Sequence, residues 1–295
     1  MNTHNLLDII GNTPLVKAHR VFAKKGVQLL FKLEGNNPGG SLKDRAAHNM
    51  IQSALDRKEI DQNSKLIEAT SGNTGIALAM IAQLLGLNIE LVLPENSTKE
   101  RVQTMRAYGA KVTLTPAKVG ILGSRDYADK KVREEGYIML NQFANDDNWK
   151  AHYKTTGPEI WRDTDGEITH FVSAMGTTGT IMGVSTYLKE QNPNIQIIGA
   201  QPTDGSKIPG IRKWPIEYLP KIFNRSKVDR ILEVSEEEAR SMAKRLTKEE
   251  GVFCGMSSGG SVATAIKIAE KLEKGVVVAI ICDRGDRYLS SDLFD

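Results

Sequence analysis

Lys65-Leu66-Ile67-Glu68-Ala69, then Thr70-Ser71-Gly72-Asn73-Thr74-Gly75, then an apolar run to Leu85, is the stretch from which the fold is read. The first five residues read as a short, mostly apolar strand of the kind buried on both faces of a parallel sheet. The glycine-rich turn joins it to a helix over Thr74–Leu85. In parallel sheets such turns face the crevice where ligands bind. Free N–H groups at the helix start, with the hydroxyls of Thr70, Ser71 and Thr74, suit an anion such as a carboxylate. A well-capped helix is the other reading, but four polar residues with two glycines exceed what capping needs.

The same alternation spreads outward. Further strands are expected at Gln28–Leu33, Ile89–Leu93, Lys111–Leu114, Tyr137–Leu140, His170–Ala174, Ile195–Ala200 and Val276–Ile281. Helices are expected at Arg45–Arg57, Lys99–Tyr108, Ser124–Glu135, Gly179–Glu190, Glu236–Glu249 and Ser258–Leu272, with a capping box at Ser235 and Glu238. Strand–helix alternation predicts an α/β fold of parallel sheets with right-handed crossovers. The 295 residues, at about 150 per domain, suggest roughly two domains. A composition shift at Asn141–Trp149 marks a candidate boundary. Asp204–Arg225, with three prolines and little periodicity, reads as a long surface loop.

Composition excludes several classes. Apolar residues make up 40%, enough for a core. Lys+Arg 39 against Asp+Glu 36 leaves +3, too balanced to suggest a nucleic-acid binder. No apolar run approaches the roughly 18 residues of a membrane span, and the start lacks the pattern of a secretory signal. Cys254 and Cys282 form no CxxC pair, so free thiols in the cytoplasm are expected. The five histidines show no metal spacing, and no metal site is expected.

Three other glycine-rich stretches carry possible chemistry. In Gly39-Gly40-Ser41-Leu42-Lys43-Asp44-Arg45 the lysine stands three residues after Gly40, so a Walker A loop fails. What remains is a lysine opening a helix. The helix dipole and Arg45 would both favour its neutral amine, the form that makes a Schiff base. A surface lysine in a turn fits the bare pattern too. Gly176-Thr177-Thr178-Gly179-Thr180 lacks dinucleotide spacing but could wrap one phosphate at a helix start. Gly255-Met256-Ser257-Ser258-Gly259-Gly260 opens another helix, where glycines also serve close packing.

Taken together with Ile10-Gly11-Asn12-Thr13-Pro14-Leu15, these stretches closely resemble the fold-type II pyridoxal phosphate enzymes, and within them the cysteine synthases, from about residue 7 to the last few residues. The resemblance implies two three-layer domains, each a mostly parallel twisted sheet flanked by helices. Residues 38–145 would form a smaller mobile domain, and residues 1–37 with 146–295 a larger one. It implies that Lys43 holds the cofactor and removes the substrate's α-proton. Asn73 would meet the cofactor's ring hydroxyl, and Gly176, Thr177, Thr178, Gly179 and Thr180 its phosphate. Ser257 would face the pyridine nitrogen and leave it largely unprotonated. Thr70, Ser71, Asn73 and Thr74, joined by Gln142, would bind the substrate carboxylate.

The implied activity is a transferase reaction, β-replacement on O-acetyl-L-serine by sulfide to give L-cysteine. O-phosphoserine as donor, or β-elimination of the serine/threonine dehydratase kind, are the alternatives. Phe253–Gly259, Ile208–Pro215 and Ile280–Tyr288 are similar to the B-type branch, which also accepts thiosulfate and makes S-sulfo-L-cysteine. There Cys282 and Arg212 would give that anion space and charge. Lys213 departs from an expected arginine and loses its bidentate fork. On the residues alone, Cys282 also reads as a small buried residue, and Arg212 with Lys213 as a solvated pair. The resemblance further implies a homodimer, without a serine acetyltransferase complex.

Overall fold

The computed structural model describes residues 3–70 and 72–295. Along the chain run β1 (Leu15–Lys17), β2 (Val27–Leu33), α1 (Lys43–Asp56), β3 (Lys65–Ala69), α2 (Asn73–Leu84), β4 (Asn88–Pro94), α3 (Lys99–Ala107), β5 (Lys111–Thr115) and α4 (Gly120–Glu135). There follow α5 (Asp146–Lys154), α6 (Thr156–Asp163), β6 (His170–Ala174), α7 (Gly179–Gln191), β7 (Gln196–Pro202), β8 (Arg230–Val234), α8 (Glu236–Arg245), α9 (Met256–Ala269) and β9 (Gly275–Ile281). One sheet has the order β1-β2-β9-β6-β7-β8; the other has β3-β4-β5. Every pairing is parallel except β1 with β2. Both sheets are parallel-rich and flanked by helices, as the alternation predicted.

Side-chain alternation explains the layering. In β9, Val277, Ala279 and Ile281 join a core with Val262 and Ala265 of α9. Val278 and Ile280 point the other way, to Ile181, Val184 and Leu188 of α7. Strand side chains alternate between faces, so a strand covered on both sides is apolar throughout. Each such fully buried aliphatic side chain stabilises the fold by about 1.5–3 kcal/mol. The smaller sheet packs α1, α2 and α3 on one face, through Met50, Leu78 and Met105. Ala128 of α4 covers Ile67 and Val92 on the other. Among the described residues no helix is long and apolar enough to cross a membrane.

Several expectations are corrected. Tyr137–Leu140 is not a strand: only Ile138 bridges Leu66, and Ile138 N donates to Lys65 O at 2.8 Å. The chain then turns at Asn141, whose φ of 55° is incompatible with a continuing strand. The helix expected to reach Glu249 ends at Arg245 and continues as a wider turn, Leu246–Glu250, closed by left-handed Gly251. Residues 146–163, for which no helix was expected, form α5 and α6. Asn145 caps α5 by accepting from Asp147 N at 2.9 Å, and Asp146 and Asp147 sit at its positive end. That cap was visible in the sequence. The edge strands β1 and β8 were missed because they are short and their apolar residues are flanked or broken by charge: β1 reads Leu15-Val16-Lys17 and β8 Arg230-Ile231-Leu232-Glu233-Val234.

Candidate active site

A cleft of about 1280 Å³ gathers most of the singled-out residues. Lys43, Thr70, Asn73, Thr74 and Gln142 line it together with Gly176, Thr177, Thr178, Thr180, Arg212, Ser257 and Cys282. Gly179 stands just behind the lining, at the first position of α7. Ser71 lies outside the described residues. The elements explain the convergence: Lys43 opens α1, Asn73 opens α2, Thr178 caps α7, and Ser257 lies in the first turn of α9. Four helix starts thus converge on one region.

Lys43 is part-buried, and desolvation pushes its amine below the ordinary lysine range, against the pull of Cys282 and Asp283. The cause differs from the sequence reading. Arg45 does not add positive potential at Lys43, because it turns into a buried ion cluster. Its Nε and Nη2 donate to the two oxygens of Glu34, each at 2.7 Å, and its Nη1 and Nη2 reach Glu159 at 2.6 and 2.8 Å. Lys32 Nζ is 2.8 Å from Glu159 and 3.2 Å from Asp163. Burial pushes the Glu159 carboxyl up, but Arg45 and Lys32 outweigh it and hold it at about 2. The Gly11–Thr13 stretch docks here: Asn12 N donates to Glu159 at 2.9 Å, and Thr13 Oγ1 donates to Glu34 at 2.7 Å. The cluster therefore ties two separate sequence motifs together beneath the site.

The expected carboxylate loop is cross-braced. Thr74 Oγ1 donates to Gln142 Oε1 at 2.7 Å, and Asn148 Nδ2 holds the Gln142 carbonyl at 2.7 Å. Beneath it, Asn141 N donates to the buried Glu68 carboxylate at 3.2 Å. Burial pushes the Glu68 carboxyl up to about 7.

The Gly176–Thr180 loop is built for close approach. A Cβ at Gly176 would stand 2.5 Å from Gly210 O. Thr178 adopts a left-handed conformation, φ 69°, and its Oγ1 is buried without a partner among the described residues. A strained residue holding an orphaned hydroxyl at a helix start calls for an acceptor from outside the chain. Thr177 Oγ1 accepts from Asn148 Nδ2 at 3.2 Å, and Thr180 Oγ1 meets His152 Nε2 at 3.2 Å. Burial pushes His152 down to about 3, so this contact is made by a neutral ring.

Cys282 follows β9 directly and lines the cleft. Its N–H donates to Ser258 Oγ at 2.9 Å, and burial pushes its thiol up to about 12. It is a neutral thiol, a wall rather than a nucleophile. Arg212 stands over Trp214, 5.9 Å from the ring centroid. Lys213 is engaged elsewhere, 2.7 Å from both Asp204 and Glu233. Ser257 and Ser258 lie inside α9, and Gly259 lets that helix press on the Ala239 carbonyl. Part of this glycine-rich stretch is thus close packing, as the sequence also allowed.

Comparison with known proteins gives the class. The family described as pyridoxal-phosphate dependent enzyme matches residues 6–283. The chain belongs to that family of enzymes, in the branch that holds the cysteine synthases. It is 58% identical to cysteine synthase B of Pseudomonas aeruginosa over 290 residues, covering 98% of this chain and 97% of that one. Cysteine synthase B of Salmonella typhimurium is 56% identical, with 100% and 96% covered. The crystal structure of the cysteine synthase of Entamoeba histolytica superposes with a TM-score of 0.95 at 38% identity, covering 100% of this chain and 91% of that one.

The residues present fit the cofactor. The orphaned Thr178 hydroxyl and the start of α7 suit its phosphate, and the desolvated Lys43 amine suits its aldehyde.

Proposed function

We propose that this chain makes L-cysteine from O-acetyl-L-serine and sulfide, and accepts thiosulfate to give S-sulfo-L-cysteine. One observation carries the reading. The lowered amine of Lys43 and the partnerless hydroxyl of Thr178 open onto the same cleft as the Thr74–Gln142 brace. Bound pyridoxal phosphate supplies an electron sink for negative charge at the substrate's α-carbon. Thr70, Ser71, Asn73, Thr74 and Gln142 bind and orient the substrate carboxylate. Lys43 takes the α-proton at Nζ. Acetate leaves the β-carbon with the C–O electron pair, sulfur forms its bond at that carbon, and Lys43 Nζ returns the proton to the α-carbon. Asn73 would donate to the cofactor's ring hydroxyl, while Gly176 to Thr180 would cradle its phosphate. Ser257 offers the pyridine nitrogen a neutral hydroxyl.

Residues 38–145 close on the bound carboxylate as a mobile unit and exclude water. The homodimer and the absence of a serine acetyltransferase complex rest on the family resemblance, and the cytoplasmic location on the two unpaired cysteines Cys254 and Cys282.

Charge supports an anionic second substrate. Arg101, Arg125, Lys207, Arg212 and Lys221 line the cleft beside Lys43, against Asp204 and Glu217. Among the described residues Arg212 makes no ion pair, so its guanidinium is available to an oxyanion. Lys213, paired with two carboxylates, contributes little to that pull. Cys282 supplies room at the same wall.

Cys282→Ala tests this through rates with sulfide and thiosulfate at fixed O-acetyl-L-serine. The ratio of the two rates is expected to change several-fold while cysteine formation persists. An unchanged ratio removes Cys282 from acceptor selection.

A further inference from the structure

We propose that Asp283 and Arg287 are positioning residues that fix the carboxamide of Asn73 in one orientation, its nitrogen end toward the cofactor. This deepens the reading that Asn73 donates to the ring hydroxyl, and rests on it.

Asn73 is gripped at both ends by opposite charges. Its Nδ2 donates to Asp283 Oδ2 at 2.7 Å, and its Oδ1 accepts from Arg287 Nη1 at 2.7 Å. Turning the amide over would set its oxygen against a carboxylate and its NH₂ against a guanidinium. Both contacts would then be repulsive, and two charge-assisted hydrogen bonds would be lost. Asn73 Nδ2 carries two hydrogens and Asp283 takes one, which leaves the second for an acceptor in the cleft.

The two charges are themselves fixed. Asp283 is fully buried and also accepts from Tyr288 Oη at 2.7 Å and from Gly255 N at 3.3 Å. The buried Arg287 donates to the Gly39 carbonyl as well. Neither charge can turn away without abandoning other partners. The grip also crosses between the sheets, because Asn73 opens α2 on the smaller sheet while Asp283 follows β9 of the larger. A free asparagine at a helix start would have no such preference between its two ends.

The test uses the full chain, resolved from its cofactor and reloaded with pyridoxal phosphate. Two quantities are read: the dissociation constant of the cofactor, and the ratio of visible to near-ultraviolet absorption, which reports ionisation of the ring hydroxyl. Asp283→Asn lets the amide turn either way. It is expected to weaken cofactor binding about tenfold, the scale of one charge-assisted hydrogen bond, and to lower the visible fraction. Arg287→Gln is expected to act in the same direction, and Arg287→Lys, which keeps the cation, to restore most of the visible fraction. If Asp283→Asn does not fold, the two Arg287 variants decide. A fall in thermal stability with an unchanged ratio and dissociation constant would overturn the proposal, since that is what a purely structural role gives. Asn73→Ala separates the two levels. If it leaves the ratio unmoved, the contact between Asn73 and the ring hydroxyl is wrong. If it moves the ratio while Asp283→Asn and Arg287→Gln do not, the contact stands and the positioning role is wrong.

Discussion

Lys43→Ala is expected to lower turnover of O-acetyl-L-serine by about 10³-fold or more, and to abolish covalent retention of the cofactor. The size follows from two roles lost together, the amine that holds the cofactor and the base that takes the α-proton. No neighbour substitutes for it. Lys207, Lys213 and Lys221 also line the cleft, but Lys213 is held by Asp204 and Glu233. Steady-state rates and cofactor retention through gel filtration check the expectation. A variant that kept wild-type turnover would assign the base elsewhere.

The second large effect is on stability, at Arg45. Arg45→Ala is expected to destabilise the fold by about 3–5 kcal/mol, because it strands buried carboxylates without their partner. Glu34 would lose both of its arginine contacts, and Glu159 would keep Lys32 and the Asn12 N–H but no guanidinium. The acid sensitivity should change as well. Glu159 is held at about 2, below its ordinary 4.5. A carboxylate with a lowered folded value contributes stability above its unfolded value and loses it as pH falls. The wild-type protein should therefore lose this contribution between about pH 4.5 and 2. The variant should show a shallower dependence there. Urea unfolding at several pH values measures both. A midpoint unchanged at neutral pH would mean that the cluster contributes nothing net.

How much of this was legible in the sequence depends on range. β9 announced itself because a strand covered on both faces is apolar throughout, as Val276 to Ile281 shows, and β2, β3 and β6 did so as short, mostly apolar runs. The glycine–hydroxyl turns were legible because helix starts that bind anions need those residue types within a few positions. α5 was missed although Asn145, Asp146 and Asp147 spell its start, since the same residues resemble a polar linker. Tyr137–Leu140 carried a strand's composition and makes a single bridge, because Asn141 turns the chain away.

The true surroundings of Arg45 and Asn73 were not legible. Arg45 meets Glu159 across 114 positions, and Asn73 meets Asp283 and Arg287 across 210 and 214. No local pattern encodes such contacts; only the packing of one sheet against the other brings them together. The resemblance named Lys43, Asn73 and Gln142, but it did not say what holds them.

The central claim is that one cleft performs β-replacement on an activated serine. It is tested most directly by the visible absorption of the cofactor-loaded protein, recorded as O-acetyl-L-serine and then sulfide or thiosulfate are added. The account predicts a visible band that shifts on O-acetyl-L-serine, with acetate released. The band should return when the sulfur nucleophile arrives, as cysteine or S-sulfocysteine appears. A loaded protein whose band ignores O-acetyl-L-serine, and which releases no acetate, would contradict it.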